Sequence, residues 1–149
     1  MKNKCLITGI TGMVGSHLAD YILKNTNWQI YGVCRWRSPL DNVKHLFSEV
    51  NKNNRLFFEY GDLLDQNSLD VLIKKIKPDF VFHLAAQSFP QTSFTHSSLT
   101  YDTNIKGTSS LLEAIKKNKI DPIIHVCSSS EIFGRVPKKN LPIDENCSF

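Results

Sequence analysis

Short runs of consecutive apolar residues alternate along the chain with longer stretches in which apolar residues recur every three or four positions. The short runs are typical of buried strands, and the periodic stretches are typical of helices that bury one face. Four helices are predicted between the strands, so that strand and helix alternate. The predicted strands lie at residues 5–7, 29–34, 56–60, 80–84 and 123–126.

Local signals set the ends of the first two predicted helices. The first covers residues 13–24 and ends at the polar segment 25–27. The second is predicted to start at Ser38 and Pro39, because serine is a favoured cap and proline suits the first helical position.

The third predicted helix ends at Pro78, and the fourth covers residues 99–118. Before the fourth, a loop of mixed polar and aromatic residues reaches Ser98 and is long enough to suggest a functional loop. Residues 135–149 show no periodicity. The apolar residues predicted to line the inner faces of the four helices are Val14, Leu18, Tyr21, Ile22, Leu40, Val43, Leu46, Phe47, Val50, Leu69, Leu72, Ile73, Ile76, Ile105, Leu111, Leu112 and Ile115.

The alternation of strands and helices sets the fold class. Continuously apolar strands separated by helices predict an α/β fold, a doubly wound parallel sheet with helices on both faces. Right-handed crossovers leave few arrangements, and the expected strand order is 3-2-1-4-5. Ligands of such sheets bind beyond the carboxyl ends of the strands, so the residues that follow each strand are the candidates for function.

A glycine-rich turn follows the first strand and leads into the first helix. Strand, glycine turn and helix in this order form a fingerprint for dinucleotide binding. Glycine permits positive φ and close approach of a pyrophosphate, and the helix N-terminus offers free N–H groups to the anion. The alternative is a glycine turn without a ligand. The predicted pyrophosphate-binding residues are Gly9, Ile10, Thr11, Gly12, Met13, Val14 and Gly15.

The turn after the second strand contains arginines and no acidic residue. An acidic residue here would bind the ribose hydroxyls of NAD, whereas arginine forms charge-assisted bonds to phosphate. The turn therefore favours NADP over NAD, the alternative being two solvated surface arginines. Its residues are Arg35, Trp36, Arg37 and Ser38.

Two further strand ends carry candidate cofactor contacts. After the third strand, Asp62 could accept a hydrogen bond from an adenine amino group and Leu63 could pack against the ring, although Asp62 could instead cap a helix, near Asp65. The small side chains after the fourth strand would let the backbone pass close to a ligand. The predicted contacts there are Leu84, Ala85, Ala86, Gln87 and Ser88.

The fifth strand is followed by candidate catalytic residues. Ser129 could hydrogen-bond a substrate oxygen, and Glu131 could move a proton. A run of serines is in isolation typical of a plain loop, but its place at the end of a central strand favours function. His83 and His125 lie inside apolar strands and are interpreted as core histidines with satisfied hydrogen bonds.

Composition narrows the classes of function. The 149 residues carry a net charge of +4, and their scattered lysines form no stripe of the kind that binds nucleic acid. The four cysteines lack metal-site spacing and are expected to be small buried hydrophobes in a reducing compartment. With no signal peptide and no apolar stretch of membrane-spanning length, we expect a cytoplasmic protein that binds neither a metal nor a membrane.

Four motifs together carry a family resemblance. Residues 8–15 resemble the TGxxGxxG motif of the short-chain dehydrogenase/reductases, and residues 83–88, 104–108 and 128–134 resemble the extended branch that acts on nucleotide sugars. The chain is most similar to GDP-mannose 4,6-dehydratases and the related GDP-4-keto-6-deoxymannose reductases. This resemblance implies a Rossmann-type domain that binds NADP, a nucleotide-sugar substrate, and a homo-oligomer for the full-length protein.

The resemblance also implies roles for individual residues. Residues 9–14 would bind the pyrophosphate, 35–38 the 2′-phosphate of NADP, 62–63 the adenine, and 84–88 a further part of the cofactor. Ser129 and Glu131 stand where the family has a catalytic Ser or Thr and the dehydratase base. The implied reaction removes a hydride from C4 of the sugar. Glu131 then takes the C5 proton as water leaves C6, and the hydride returns at C6.

Three features depart from the dehydratase pattern. Met13 and Val14 replace a common Gln-Asp pair, Leu99 replaces a tyrosine, and no tyrosine of the chain is followed four residues later by lysine. We therefore expect an incomplete N-terminal NADP-binding domain that lacks the C-terminal substrate domain and is inactive alone. A reductase or epimerase of the same branch and a non-catalytic dinucleotide-binding module remain alternatives.

Overall fold

The computed structural model describes residues 2–147, which contain one parallel sheet of five strands. The strand order, β3-β2-β1-β4-β5, confirms the predicted order. Because the order changes direction at β1, the carboxyl ends of β1 and β4 flank the switch point at which ligands of this fold class bind. The strands are β1 (Lys4–Thr8), β2 (Gln29–Cys34), β3 (Leu56–Tyr60), β4 (Phe80–His83) and β5 (Ile123–Val126).

The helices follow the strands as the alternation predicts. The α-helices are α1 (Met13–Asn25), α2 (Gln66–Ile76), α3 (Pro90–Thr95), α4 (Ser97–Tyr101) and α5 (Gly107–Lys117). A π-helical turn, Asp102–Lys106, joins α4 to α5. Short 3₁₀ helices occupy Asp41–Glu49, Lys52–Asn54, Ser130–Phe133 and Lys138–Asn140. Within residues 2–147, no helix combines the length and the apolar composition needed to cross a membrane.

Two apolar clusters cover the two faces of the sheet. On one face, α2 and α5 bury residues such as Ile73 and Leu111 against Leu6 and Val81. On the other face, α1 and the 3₁₀ helix Asp41–Glu49 pack against β1, β2 and β3. The second cluster consists of Cys5, Ile7, Ile10, Ala19, Ile22, Ile30, Cys34, Val43, Leu46 and Leu56.

Helix α1 packs on the sheet through small residues, and this corrects the predicted inner face. Val14 and Tyr21 are exposed, whereas Gly15, Ser16 and Ala19 are buried with Ile22. Small side chains let the helix axis approach the sheet closely, so the contact surface cannot be read from the large apolar residues alone.

The predicted start of the second helix at Ser38 and Pro39 is wrong. The Ser38 side chain accepts a hydrogen bond from the backbone N–H of Arg35 and so closes a turn, and the 3₁₀ helix begins only at Asp41. Leu40 and Phe47 are exposed as well. A serine side chain can accept from backbone N–H groups in a turn as well as at a helix start, and Ser38 does so in the turn.

The predicted loop before the fourth helix is wrong in its second half, because α3 and α4 are helical. The inward positions of Ile105 and Leu112 are also wrong, and Ile105 is 60% exposed. The π turn places more residues per turn than an α-helix, so it shifts the phase of the apolar pattern. A constant 3.6-residue period across Asp102–Lys106 therefore points to the wrong face.

Strand β5 is one of the two edge strands of the described sheet, and its side chains are more exposed than predicted. Ile123 is 68% exposed, and His125 is exposed as well, so the interpretation of His125 as a core histidine is wrong. Cys5 and Cys34 are buried as expected, but Cys127 is exposed and Cys147 is half-buried, all four being free thiols. Residues 148 and 149 of the predicted irregular tail lie outside the described residues.

Candidate functional site

The glycine turn after β1 is closed by backbone contacts that only glycine permits. Gly9 has φ +73°, and a Cβ atom there would lie 2.9 Å from the backbone of Ala85. A Cβ at Gly15 would lie 2.4 Å from the Gly9 carbonyl oxygen, which also accepts a hydrogen bond from Gly12 N–H at 3.0 Å. Two of the three glycines therefore let β1, α1 and the β4 loop come together at one point.

The N-terminus of α1 is open toward this turn. Gly12 is the capping residue, no side chain caps the helix, and its first turn contains no acidic residue. The first N–H groups of a helix lack partners within the helix and carry a partial positive charge, so this end attracts an anion. With a glycine cap and no competing carboxylate, the turn fits a pyrophosphate group.

The arginine turn after β2 presents its charges to solvent. Ser38 N–H donates to the Arg35 carbonyl at 2.9 Å, and Ser38 Oγ accepts from Arg35 N–H at 3.2 Å. The Arg37 guanidinium stacks on the Trp36 ring at 4.2 Å from its centroid, and Trp36 is 74% exposed. The turn is thus a preformed, positively charged surface beside the glycine turn.

The two acidic residues after β3, Asp62 and Asp65, make different contacts. Asp65 caps α2 by accepting from Asn67 and Ser68 N–H, whereas Asp62 accepts from Leu64 N–H at 3.0 Å. The capping alternative therefore belongs to Asp65. Leu63 is only 8% exposed and packs beneath Gly107, so most of its surface serves the core.

A cavity of about 560 Å³ opens between the ends of β4 and β5. The predicted contacts at residues 84–88 line it together with Ser129, so the structure brings these two groups together. The lining, as far as residues 2–147 define it, does not include Glu131, the glycine turn or residues 35–38. Additional lining residues are His83, Phe89, Pro90, Ser93, Thr100, Asn104, Thr108, Val126, Cys127 and Ser128.

Ser129 and Glu131 are exposed and linked to each other. Ser129 Oγ accepts a hydrogen bond from Glu131 N–H at 3.2 Å and so caps the 3₁₀ helix Ser130–Phe133. This bond leaves the Ser129 hydroxyl hydrogen available to another acceptor. The backbone of Glu131 is therefore held next to Ser129, which lines the cavity.

A buried chain of hydrogen bonds fixes the backbone at the end of β4. Thr8 Oγ1 accepts from the N–H groups of Leu84 and Ala85, both at 3.2 Å, and lies 2.8 Å from His83 Nδ1. On the other side, His83 Nε2 lies 3.0 Å from Thr108 Oγ1. His83 is buried, as predicted for a core histidine, and burial lowers its pKa.

Asn104, on the π turn, holds the cavity wall by its side chain. Its Oδ1 accepts from Gln87 N–H at 2.7 Å, and its Nδ2 donates to the Gln87 carbonyl at 3.0 Å. No functional role was predicted for Thr8, Asn104 or Thr108. The sequence features that could have indicated a role are the hydroxyl of Thr8 at the end of a strand, and the four-residue spacing of Asn104 and Thr108, which puts both on one helix face.

Comparison with known proteins adds an independent line of evidence. The sequence model of the family GDP-mannose 4,6 dehydratase matches residues 6–149. The GDP-mannose 4,6-dehydratase of Yersinia enterocolitica is 36% identical over 98% of this chain and 40% of its own length. The human GDP-mannose 4,6 dehydratase is 32% identical over 99% of this chain and 41% of its own length. The chain thus spans about two fifths of these relatives.

Solved structures match the fold. UDP-glucose 4-epimerase from Brucella ovis, in complex with NAD, superposes with a TM-score of 0.80 at 26% identity, over 97% of this chain and 40% of that one. UDP-glucose-4-epimerase from Stenotrophomonas maltophila, with bound NAD and formylated UDP-arabinopyranose, gives a TM-score of 0.83 at 23% identity, over 99% and 42%. The second likeness supports the fold alone.

Proposed function

Because the chain belongs to the GDP-mannose 4,6 dehydratase family, we propose that it is the NADP-binding part of an enzyme that converts GDP-mannose to GDP-4-keto-6-deoxymannose. One observation carries the cofactor role: the glycine turn brings the open N-terminus of α1 to the switch point of the sheet. Since the chain spans about two fifths of its relatives, the complete reaction belongs to the whole protein.

Each part of the cofactor has a candidate partner. The glycine turn and the first N–H groups of α1 would hold the pyrophosphate, and Arg35 with Arg37 would hold a 2′-phosphate. Asp62 is proposed to meet the adenine, and residues 84–88 to line the cofactor's path into the cavity. The absence of an acidic residue at positions 35–38 supports NADP over NAD. When bound, the nicotinamide ring supplies reversible hydride transfer with the sugar.

Ser129 and Glu131 would act on the sugar of the substrate. Ser129 lines the cavity, and its hydroxyl can donate a hydrogen bond to a substrate oxygen while its oxygen accepts from the Glu131 backbone N–H. The Glu131 side chain is exposed, and as a carboxylate it can accept the C5 proton as water leaves C6. Because the two residues are neighbours at the end of β5, base and hydrogen-bond donor would meet the same sugar.

Two other functions differ in what they require of the whole protein. A reductase or epimerase of the same family would use the same cofactor site with a different substrate. A non-catalytic dinucleotide-binding module would need only the cofactor site. The dehydratase names of the relatives favour the first proposal over both.

Cofactor binding is tested on the chain itself by calorimetric titration with NADP⁺ and NAD⁺. We expect NADP⁺ to bind more tightly, and Arg35→Met to weaken NADP⁺ binding about tenfold or more while changing NAD⁺ binding little. Arg135→Met, at an exposed position away from β2, is the matched control. Failure of the chain to bind either dinucleotide would overturn the cofactor role.

The reaction is tested on the whole protein with GDP-mannose and NADP⁺. A dehydratase releases one water and yields a 4-keto product, which mass spectrometry detects. Conversion only of GDP-4-keto-6-deoxymannose with NADPH would establish the reductase instead, and epimerised sugar the epimerase. Incubation of the 149-residue chain alone is expected to yield no 4-keto product, and clear accumulation would refute its proposed inactivity.

A further inference from the structure

A side chain of the 3₁₀ helix Asp41–Glu49 hydrogen-bonds to the glycine turn. Asn42 Nδ2 donates a hydrogen bond to the Thr11 carbonyl oxygen at 2.9 Å, across 31 positions of sequence. The carbonyl can only accept, so the amide nitrogen of Asn42 must face it. Thr11 lies between Gly9 and Gly12, so Asn42 reaches the tip of the proposed pyrophosphate site.

The same helix is anchored on both sides of this contact. Val43 and Leu46 are fully buried in the cluster that also contains Ile10 of the glycine turn. One helical turn beyond Asn42, His45 Nε2 lies 2.9 Å from the Asp20 carboxylate on α1. The helix is therefore fixed against α1 and the glycine turn by apolar packing flanked by polar contacts.

The arginine turn lies between two fixed points of the backbone. Before it, Cys34 ends β2, and its carbonyl accepts from Gly61 N–H at 3.1 Å. After it, Asn42 and Val43 hold the chain to the glycine turn and the core. The short connection, residues 35–41, has no buried side chain of its own. The position of its arginines relative to the glycine turn thus depends on the two ends.

We infer that Asn42 is a positioning residue that sets the spacing between the glycine turn and the arginine turn, and so favours a dinucleotide with an additional phosphate over one without it. This inference rests on the proposed cofactor function. NADP would contact both turns at once, whereas NAD has no phosphate for the arginine turn. Without the contact between Asn42 and Thr11, the spacing between the two turns is less fixed. This weakens the binding of NADP, which contacts both turns, more than that of NAD.

The test is the ratio of the two dissociation constants in Asn42→Leu. Leucine branches at Cγ as asparagine does and adds no charge, but it cannot donate to Thr11. Thr11 is half-exposed, so water should be able to replace Asn42 as the partner of its carbonyl, and the folded state should persist. Calorimetric titration should show NADP⁺ binding weakened about 3- to 10-fold and NAD⁺ binding weakened less than about twofold.

Ser48→Ala is the matched control, because Ser48 is an exposed residue of the same helix away from the glycine turn. It should leave both constants and their ratio unchanged. An equal loss for both dinucleotides in Asn42→Leu would indicate a purely structural role and overturn the inference. Normal NADP⁺ selectivity in Asn42→Leu would overturn it as well, while leaving the cofactor function intact. If the unchanged chain binds neither dinucleotide, the cofactor function and this inference fail together.

Discussion

The Thr8 hydroxyl and the His83 ring face each other at the carboxyl ends of β1 and β4, with 2.8 Å between Thr8 Oγ1 and His83 Nδ1. Thr8 Oγ1 already accepts two backbone N–H groups, so its single hydrogen points to Nδ1. Thr108 donates its hydrogen to the Asn104 carbonyl at 2.7 Å and accepts from His83 Nε2. The network is therefore complete only with a neutral His83 protonated at Nε2.

Stability should consequently depend on the charge of His83. Burial lowers the pKa of His83 in the folded chain below its ordinary value of about 6.5. Below that value the unfolded chain binds the proton more readily than the folded chain does, so the stabilising contribution is complete above pH 6.5 and is lost as pH falls. Urea unfolding between pH 7.5 and 5 should show a free energy of unfolding that decreases toward acid, by at most about 1.4 kcal/mol per pH unit from this residue.

The contribution of His83 is isolated by two variants. His83→Gln should cost about 1–3 kcal/mol at pH 7.5, because buried donors and acceptors lose partners, and should flatten the slope below pH 6.5. His17→Gln replaces an exposed histidine of α1 and should retain the slope of the unchanged chain. An unchanged slope in His83→Gln would contradict the neutral network.

The glycines of the turn should differ in their tolerance of a methyl group. Gly15→Ala places Cβ 2.4 Å from the Gly9 carbonyl oxygen, and Gly9→Ala adds a positive φ to a 2.9 Å contact with Ala85. Both contacts are with backbone, which cannot move aside cheaply, so each variant should lose about 1–3 kcal/mol or more in urea unfolding.

Gly12→Ala is the matched substitution within the same turn. Gly12 has φ −77°, and its added Cβ would lie 3.3 Å from the nearest atom, so the loss of stability should stay below about 1 kcal/mol. Equal destabilisation at the three positions would show that the backbone contacts do not determine which glycines the fold requires.

The sequence predicts the sheet better than it predicts the surfaces that cover it. The predicted bounds of β2 and β3 match the structure to the residue, because apolar and aromatic residues dominate both segments. The inner face of α1 could not be predicted from large apolar residues, since Gly15 and Ala19 make the contact. The exposure of Ile105 follows from the π turn, a local geometry that the spacing of apolar residues does not reveal.

The candidate site also contains residues that the sequence predicts and residues that it does not. The glycine turn and residues 84–88 were recognisable, because chemistry at a strand end depends on short local motifs. The roles of Asn104 and Asn42 were not, because each side chain bonds to the backbone of a residue distant in sequence, and the sequence does not show which residue that is. These contacts became visible only when topology brought the segments together.

Arg55 is expected to contribute strongly to stability although it lies far from the site. Its guanidinium donates to the Leu23 carbonyl at 2.9 Å and the Thr26 carbonyl at 2.7 Å, at the C-terminal end of α1, with longer bonds to Ile22 and Trp28. The charge also complements the negative end of the helix dipole. Arg55→Met should therefore lower the free energy of unfolding by about 1.5–3 kcal/mol in urea titration.

Lysine at this position separates charge from geometry. Arg55→Lys retains the charge but not the planar fork that reaches several carbonyls, so it should recover only part of the loss. Arg135→Met, which removes an exposed arginine, should change stability by less than about 0.5 kcal/mol. Full recovery by lysine would indicate that the hydrogen-bond geometry of Arg55 is unimportant.

The four thiols should react with iodoacetamide in an order set by their surroundings. Burial raises the pKa of Cys5 to about 12 and also raises that of Cys34, so both lack solvent access and thiolate character. Cys127 is exposed and Cys147 is half-buried. Mass spectrometry of the folded chain should therefore find Cys127 labelled first and Cys147 next, with Cys5 and Cys34 labelled only under denaturing conditions.

Cys127 also reports on the cavity, because it lines that space and Cys147 does not. A dinucleotide bound as proposed, along residues 84–88, occupies the space beside the Cys127 sulfur and should slow its alkylation several-fold at saturating NADP⁺, whereas the rate at Cys147 should not change. The comparison is made within one molecule, so a general effect of NADP⁺ on the reagent or on stability would affect both sites. Equal slowing at both thiols, or none at Cys127 under conditions where calorimetry shows NADP⁺ bound, would place the dinucleotide outside this cavity.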